Sequence, residues 1–172
     1  ALDWAKAFDS ISPDSLARAL LRFGCPRAFV EMIQAIYCNR RFSVSDNGCT
    51  SDEHCQHFGI CQGCPLSPFL FVMVMTVLLH DAKAKLQESG ETNLCSDLIV
   101  HELVYADDTL LIDVDGDVLQ AFMDSISDIG KEYGLSFNWK KLEMLPVRTT
   151  AVVKTPDGSP VKTKDAMLYL GS

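Results

Sequence analysis

Two adjacent carboxylates, Asp107 and Asp108, stand between apolar runs in the stretch ELVYADDTLLID, which covers residues 102–113. The flanking runs HELVY and TLLIDV favour β-strands, so the pair falls where a hairpin would turn. Burying a carboxylate among apolar groups costs several kcal/mol unless it is paired or metal-bound, and a like-charged neighbour adds to that cost. The residues alone leave two interpretations open, a cation site and a solvated loop tip.

Carboxylate oxygens are hard ligands that suit Mg²⁺ or Mn²⁺, and these ions complete their coordination with water and substrate phosphates. Asp3 is a third candidate ligand, because it closes an apolar strand end just before the stretch WAKAFDS. Successive strand residues point to opposite faces, so Asp107 and Asp108 can serve one site only if a tight turn aims both side chains. If the cation interpretation holds, the three aspartates predict a divalent-metal site at a hairpin tip.

The composition describes a globular chain that is long enough to bury the core of a single domain. It has 172 residues, of which 48% are hydrophobic and 22% are charged, a balance typical of folded proteins. Its 23 acidic and 15 basic residues give a net charge of −8, which argues against a surface that holds nucleic acid by itself. Any nucleic-acid role therefore needs a basic surface from elsewhere.

The sequence also bears on where the protein works. The longest apolar run, residues 69–79, is shorter than the roughly 18 residues that a membrane span needs. We expect no signal peptide before the first strand, and the seven cysteines are interpreted as reduced thiols because the chain has enough apolar mass to fold without disulfides. We expect an intracellular protein that is neither secreted nor inserted in a membrane, with the nucleus as one candidate compartment.

The order of predicted elements indicates an α+β fold with a mostly antiparallel sheet packed on helices. Capping and periodicity predict helices over residues 13–23, after Cys25-Pro26, over 66–86 and over 118–133. A hairpin is predicted between residues 41 and 61, around the Asn47-Gly48 turn signal. The tail alternates short β-like runs, SFNW, EMLPV, AVVK and MLYLG.

Periodicity also predicts which helix residues face the core. They are Leu16, Leu20 and Phe23 in the first long helix, and Phe29, Ile33, Ile36 and Tyr37 in the second. The segment 66–86 is apolar nearly all round at its start, so we expect it to form a helix buried in the middle of the domain.

Read in order, several segments of the chain resemble the palm of reverse transcriptases, most closely those of non-LTR (LINE-type) retrotransposons and more distantly those of group II intron maturases. The matching segments are LDWAKAFDSI (2–11), GICQGCPLSPFLF (59–71), YADD (105–108), GLSFNWKKLEM (134–144) and YLG (169–171). They occur in the order of the family and cover almost the whole chain. The resemblance implies an RNA-directed DNA polymerase of the polymerase-palm fold.

The resemblance also implies a set of metal ligands. Asp3 and Asp107 would be the main ligands of two divalent cations, Mg²⁺ or Mn²⁺, and Asp108 would support the ion at the primer end. The backbone carbonyl of Trp4 would help to hold the ion of the nucleotide. Two such ions stabilise both the attacking 3′-hydroxyl and the pyrophosphate leaving group of an in-line displacement.

Further residues acquire substrate-binding roles through the same resemblance. Phe8 would stack under the incoming sugar and exclude a 2′-hydroxyl, whereas without the family pattern it is equally well a core phenylalanine. Gln62 and Gly63 would lie against the nucleotide and the template strand, and Tyr105 would also bind substrate. Lys141 would protonate the departing pyrophosphate, and the alternative for this residue is a solvated surface lysine.

The chain departs from the family pattern at two positions and in its coverage. Cys64 stands where the family commonly has an acid, and Leu142 stands where it often has Thr or Ser. We expect residues 1–172 to form a single palm domain, with the basic fingers and the thumb largely missing. RNA template, DNA primer and deoxynucleoside triphosphates would be its partners, and the piece alone would have weak activity or none.

Two other functions remain as alternatives. One is an inactive palm remnant that acts as an RNA-binding or interaction module. The other is a zinc module, because cysteines and histidines cluster between Cys49 and Cys64, including a Cys-x-x-Cys. Their spacing fits no common zinc finger, and the last pair overlaps the segment QGCPLSP.

Overall fold

The computed structural model describes residues 1–89 and 101–167. The predicted YLG segment, 169–171, lies outside the described residues. The helices are α1 (Ala7–Ser10), α2 (Pro13–Phe23), α3 (Arg27–Tyr37), α4 (Ser67–Ser89) and α5 (Gly116–Glu132), with a 3₁₀ turn at Trp139–Lys141. The strands are β1 (Arg41–Phe42), β2 (Ser45–Asp46), β3 (Cys49–Thr50), β4 (His54–Cys55), β5 (Glu102–Tyr105), β6 (Asp108–Leu111), β7 (Glu143–Met144) and β8 (Lys162–Thr163).

The first long helix, α2, begins and ends where its capping residues predict. The Ser12 hydroxyl accepts a hydrogen bond from the Ser15 N–H at 3.0 Å, and Pro13 occupies the first helical position. Gly24 ends the helix in the left-handed conformation, with φ 98°. The predicted core contact of Phe23 is wrong, because the last residue of the helix lies beyond the packed face and stays 46% exposed.

The core face of α3 also differs from the predicted one. Val30, Ile33 and Tyr37 are buried, whereas Ile36 is 50% exposed. A stripe at positions i, i+3 and i+7 already fills the contact with the neighbouring helix, so Ile36 lies on the flank of that stripe.

The long helix α4 forms the centre of the domain and packs against both α2 and α5. Leu70, Phe71, Val74, Met75 and Leu78 are almost completely buried in it. One side of its first turns nevertheless faces solvent, through side chains that include Phe69 and Val72. No helix among the described residues is long and apolar enough to cross a membrane.

The strands form four two-stranded ladders in the described part of the chain, of which three are antiparallel. The predicted Asn47-Gly48 hairpin is present as β2 and β3, flanked by the β1–β4 pair. In the tail, β7 lies parallel to β8 instead of forming an antiparallel ladder. The runs SFNW and AVVK form single bridges only, and most of MLYLG lies outside the described residues.

Asp81 of α4 joins three helical segments through its carboxylate. Arg22 of α2 binds it with two nitrogens, at 2.6 and 2.5 Å, and the Tyr133 hydroxyl at the end of α5 donates to it at 2.9 Å. Burial by itself would raise the pKa of Asp81, but hydrogen bonds from Arg22, His80 and Tyr133 outweigh it and lower that pKa. The ionised Asp81 carboxylate therefore stabilises the fold at a pH above its unfolded pKa, and this stabilisation is lost as the pH falls through its folded pKa.

We expect Tyr133→Phe to lower the free energy of unfolding by about 1.5 kcal/mol at neutral pH, because a hydrogen bond to a carboxylate is lost. Burial, together with the Asp81 hydrogen bond, raises the pKa of Tyr133 from 10.0 to about 12. Because the pKa of Tyr133 is higher in the folded than in the unfolded protein, its contribution to stability is fully present at a pH below the unfolded pKa. This contribution disappears as the pH rises from 10.0 to about 12. Urea unfolding across this pH range should show that the difference in unfolding free energy between the wild type and Tyr133→Phe decreases.

The control is Tyr105→Phe, which removes an exposed hydroxyl and leaves the Tyr133–Asp81 hydrogen bond in place. If the unfolding free energies of the wild type and Tyr133→Phe changed equally with pH in the alkaline range, the link between Tyr133 and alkaline stability would be contradicted.

Candidate active site

The predicted hairpin is present. Its two aspartates occupy different positions, one in the turn and the other in a strand. Strands β5 and β6 pair from Glu102–Leu111 to Tyr105–Asp108, so Ala106 and Asp107 form the two-residue turn. Ala106 has φ 53°, the left-handed region that such tight turns use. Asp107 thus lies in the turn itself, and Asp108 is the first residue of β6.

Both carboxylates of this hairpin are exposed, so the expected cost of burying them does not arise. The β5 side chains after Glu102 are exposed as well, with Tyr105 at 64% and Leu103 at 43%. Apolar strands therefore carry the carboxylates on an open edge of the protein, where a substrate can reach them.

The N-terminal segment that carries Asp3 pairs with β6 at one antiparallel bridge. The Leu2 N–H donates to the Thr109 carbonyl at 2.7 Å, and Leu2 and Thr109 form an antiparallel bridge. The next position in this register sets Asp3 opposite Asp108, and alternation puts both on the face away from Thr109. The register therefore gives two of the three predicted carboxylates a common face.

Thr109 is a structural contact beside the candidate site that the sequence analysis did not single out. Its side chain is buried, and its hydroxyl accepts a hydrogen bond from the Trp4 indole N–H at 3.2 Å. In the sequence, this contact is indicated only by a single hydroxyl residue at an inward-facing position of an apolar strand.

On its other side, the N-terminal segment pairs with the run SFNW. The Asn138 N–H donates to the Asp3 carbonyl and the Ala5 N–H donates to the Ser136 carbonyl, both at 2.8 Å. In this antiparallel pattern the backbone groups of Trp4, including its carbonyl, turn away from Phe137. The Trp4 and Phe137 rings pack at a centroid distance of 4.5 Å.

Lys141 lies close to Asp3. It ends the 3₁₀ turn, and its Nζ is 3.6 Å from Asp3 Oδ2, an ion pair at longer than hydrogen-bond distance. Both side chains remain in contact with solvent, so the pair is a weak one.

In the described ranges 1–89 and 101–167, no three His, Cys, Asp or Glu side chains are close enough together to hold a metal ion. Asp3, Asp107 and Asp108 therefore do not form a closed ligand cage in this geometry, and neither do the cysteines and histidines between Cys49 and Cys64. The carboxylates still offer the hard oxygen donors that Mg²⁺ and Mn²⁺ select, on an open face that leaves room for water and phosphate oxygens. Their donor chemistry fits such ions, whereas that of the cysteine-rich loop would suit zinc.

The remaining predicted residues lie around the start of α4. Phe8 stacks on Phe71 with a centroid distance of 4.3 Å, so its ring is half-buried against the core. Gln62 Nε2 donates to Asp9 Oδ1 at 3.1 Å. Gly63 has φ 85° and nothing within 4 Å of where a Cβ would lie. Asp9 therefore contacts the loop that carries Gln62.

Backbone contacts join the segment that carries Phe8 and Asp9 to the loop that carries Gln62 and Gly63. The Ile60 N–H donates to the Phe8 carbonyl at 2.6 Å. A Cβ at Gly59, whose φ is 92°, would lie 3.0 Å from the Asp9 Cα. Glycine at this position therefore permits the loop before Gln62 to lie directly on α1.

The described residues form an α+β fold with a carboxylate-bearing hairpin, and the family comparison gives the class of protein. All of residues 1–172 match the model of the family described as reverse transcriptase (RNA-dependent DNA polymerase). The chain belongs to this family.

Its relatives include Pol polyproteins of R2 elements, which are non-LTR retrotransposons. The chain is 33% identical over 140 residues to the retrovirus-related Pol polyprotein of the type-2 retrotransposable element R2DM of Drosophila melanogaster, across 81% of this chain and 13% of that protein. It is 29% identical over 168 residues to an R2 Pol polyprotein of Popillia japonica, across 97% of this chain and 23% of the relative. An R2 Pol polyprotein of Nasonia vitripennis is 31% identical over 163 residues, across 95% of this chain and 15% of the relative. The chain thus spans less than a quarter of the length of these proteins.

Proposed function

We propose that this chain is the catalytic palm of an RNA-directed DNA polymerase from a non-LTR retrotransposon. One observation carries the proposal. The antiparallel Leu2–Thr109 bridge joins the segment that carries Asp3 to the hairpin, so that the next position would set Asp3 opposite Asp108, with Asp107 in the adjoining turn. These carboxylates come from the segments LDWAKAFDSI and YADD, which resemble the two metal-binding segments of the family.

Asp3 and Asp107 would hold two divalent cations, Mg²⁺ or Mn²⁺, with Asp108 and the Trp4 carbonyl as supporting ligands. When bound, the ions supply the charge that stabilises the attacking 3′-oxygen and the pyrophosphate leaving group. Lys141, now paired with Asp3, is within reach of the same face and would give a proton to the pyrophosphate.

Selection of the nucleotide would depend on residues around the start of α4. Phe8 is held by its stack on Phe71 and would set the space beside the sugar. Gln62 and Gly63 would face the base pair formed with the template, where the open surroundings of Gly63 allow a close approach of the backbone. Tyr105, exposed beside the turn, would lie near the primer end.

The partners proposed are an RNA template, a DNA primer and deoxynucleoside triphosphates. A net charge of −8 cannot neutralise the phosphates of a primer–template duplex. Basic surfaces outside these residues, on fingers and thumb, would supply that charge in the cell interior where such a polymerase works. For this reason we expect the isolated chain to extend primers weakly or not at all.

The experiment uses a longer polymerase that carries this chain together with its flanking regions. Extension of a DNA primer on an RNA template should require Mg²⁺ or Mn²⁺ and stop when EDTA is added. A protein that binds the primer–template but never extends it, at any concentration of either ion, would instead be the inactive RNA-binding remnant.

A further inference from the structure

The loop before α4 contains a pair of cysteines that the proposed polymerase chemistry does not use. Cys61 and Cys64 flank Gln62 and Gly63, and both carry free thiols. Cys61 is exposed and Cys64 is half-buried, so a small oxidant can reach at least the first of them.

The backbone already holds these two cysteines in a tight turn. The Cys64 N–H donates to the Cys61 carbonyl at 3.4 Å, and Gly63 has φ 85°. A hydrogen bond from the fourth residue to the first, with a left-handed third residue, defines a type II β-turn. Such a turn brings its first and fourth Cα atoms within about 7 Å, and disulfides span Cα separations of about 4.4–6.8 Å.

The turn is anchored on the C-terminal side by the start of α4. The Ser67 hydroxyl donates to the Cys61 carbonyl, and the Ser67 N–H donates to the Cys64 carbonyl at 3.0 Å. The buried Ser67 therefore fixes both cysteines from the same side. The two cysteines therefore lie at the ends of one anchored turn, at a Cα separation close to the range that disulfides span.

We infer that Cys61 and Cys64 form a reversible disulfide that makes the Gln62-Gly63 turn sensitive to oxidants of the peroxide class. The Cys61 thiolate attacks one oxygen of hydrogen peroxide, which gives a sulfenic acid and, after protonation, a first water. The Cys64 thiol then attacks that sulfur, forming the S–S bond and releasing a second water. Two thiols are oxidised to one disulfide while one peroxide is reduced to two waters.

The consequence for substrate binding rests on the proposed function. A disulfide would fix the turn in its present form, in which Gln62 donates to Asp9. Gln62 would then be less free to turn towards an incoming nucleotide. Loss of one such hydrogen bond corresponds to a rise in the KM for deoxynucleotides of roughly 3- to 10-fold.

The disulfide is tested on the 172-residue chain, independently of polymerase activity. The reduced protein is treated with hydrogen peroxide, its remaining thiols are blocked with N-ethylmaleimide under denaturing conditions, and the peptides are mapped by mass spectrometry. We expect a loss of two hydrogens in the peptide that contains Cys61 and Cys64, and its reversal by dithiothreitol. C61S and C64S should abolish the product, and the matched variants C49S and C55S, at exposed cysteines of the neighbouring hairpins, should retain it.

Two unmodified thiols at these positions, or a disulfide that maps to any other cysteine, would overturn the inference. In the longer polymerase, oxidation should raise the KM in the wild type and leave C64S unchanged. No extension by the reduced protein would contradict the proposed function and leave the peptide mapping valid, whereas an unchanged KM after complete disulfide formation would refute the regulatory step alone.

Discussion

Replacing Asp107 and Asp108 together by Asn is expected to reduce primer extension by about a thousandfold or more in a polymerase that carries this chain. The change keeps the size of both side chains, but it replaces one carboxylate oxygen of each by an amide NH₂ and removes the charge that would hold divalent cations at the hairpin. Both residues are exposed, so the fold should lose little stability. Single-turnover extension on an RNA template, at saturating Mg²⁺, measures the effect.

Asp52→Asn provides the matched control, because Asp52 is an exposed aspartate in the loop between β3 and β4. It changes the net charge by one without touching the hairpin, and extension should stay close to the wild-type rate. Extension that survives in the double variant would refute the assignment of the site. A parallel loss in the control would indicate an effect of charge on nucleic-acid binding.

Lys83→Met is expected to cost about 2 kcal/mol of unfolding free energy, although Lys83 lies outside the candidate site. Its Nζ is 2.5 Å from Glu102 Oε1, and the two side chains are 34% and 19% exposed. Glu102 opens β5, and its Oε2 is buried with no hydrogen-bond partner among the described residues. Without the ammonium group the hairpin would begin at a poorly solvated, unpaired carboxylate. Guanidinium unfolding measures the loss, and amide hydrogen exchange of β5 and β6 locates it.

A second lysine of the same helix supplies the control. Lys85 pairs with Asp128 at 2.9 Å, but their side chains are 48% and 54% exposed, so Lys85→Met should cost less than about 0.5 kcal/mol. The double variant Lys83→Met/Glu102→Gln should recover part of the loss, because no uncompensated charge remains. Equal effects of Lys83→Met and Lys85→Met would show that the Glu102 pair does not anchor the hairpin.

The parts of the fold that the sequence predicts well are those determined by local chemistry. The cap of α2 at Ser12 and the turn at Asn47-Gly48 each depend on interactions within a few residues. The hairpin at ELVYADDTLL follows from alternation on either side of a turn-forming pair. Such features need no knowledge of distant segments.

What the sequence does not predict comes from contacts between segments that are far apart in the chain. Whether Phe23 or Ile36 is buried depends on how much of a helix face its neighbours cover. The parallel pairing of β7 with β8 and the bridge between Leu2 and Thr109 are set by tertiary packing. The family resemblance assigned Asp3 and Lys141 to one site, but only the structure shows the 3.6 Å contact between their side chains.

Thr109 gives the site a mechanical property that its surface chemistry does not reveal. One residue pairs with Val104 of β5 and with Leu2 of the N-terminal segment, while its hydroxyl is tied to the Trp4 ring. The hairpin therefore cannot swing as a flap that is hinged only at its base. A push from a nucleic acid on the turn would also displace the strand that carries Asp3, so that the carboxylates would travel together and keep their spacing.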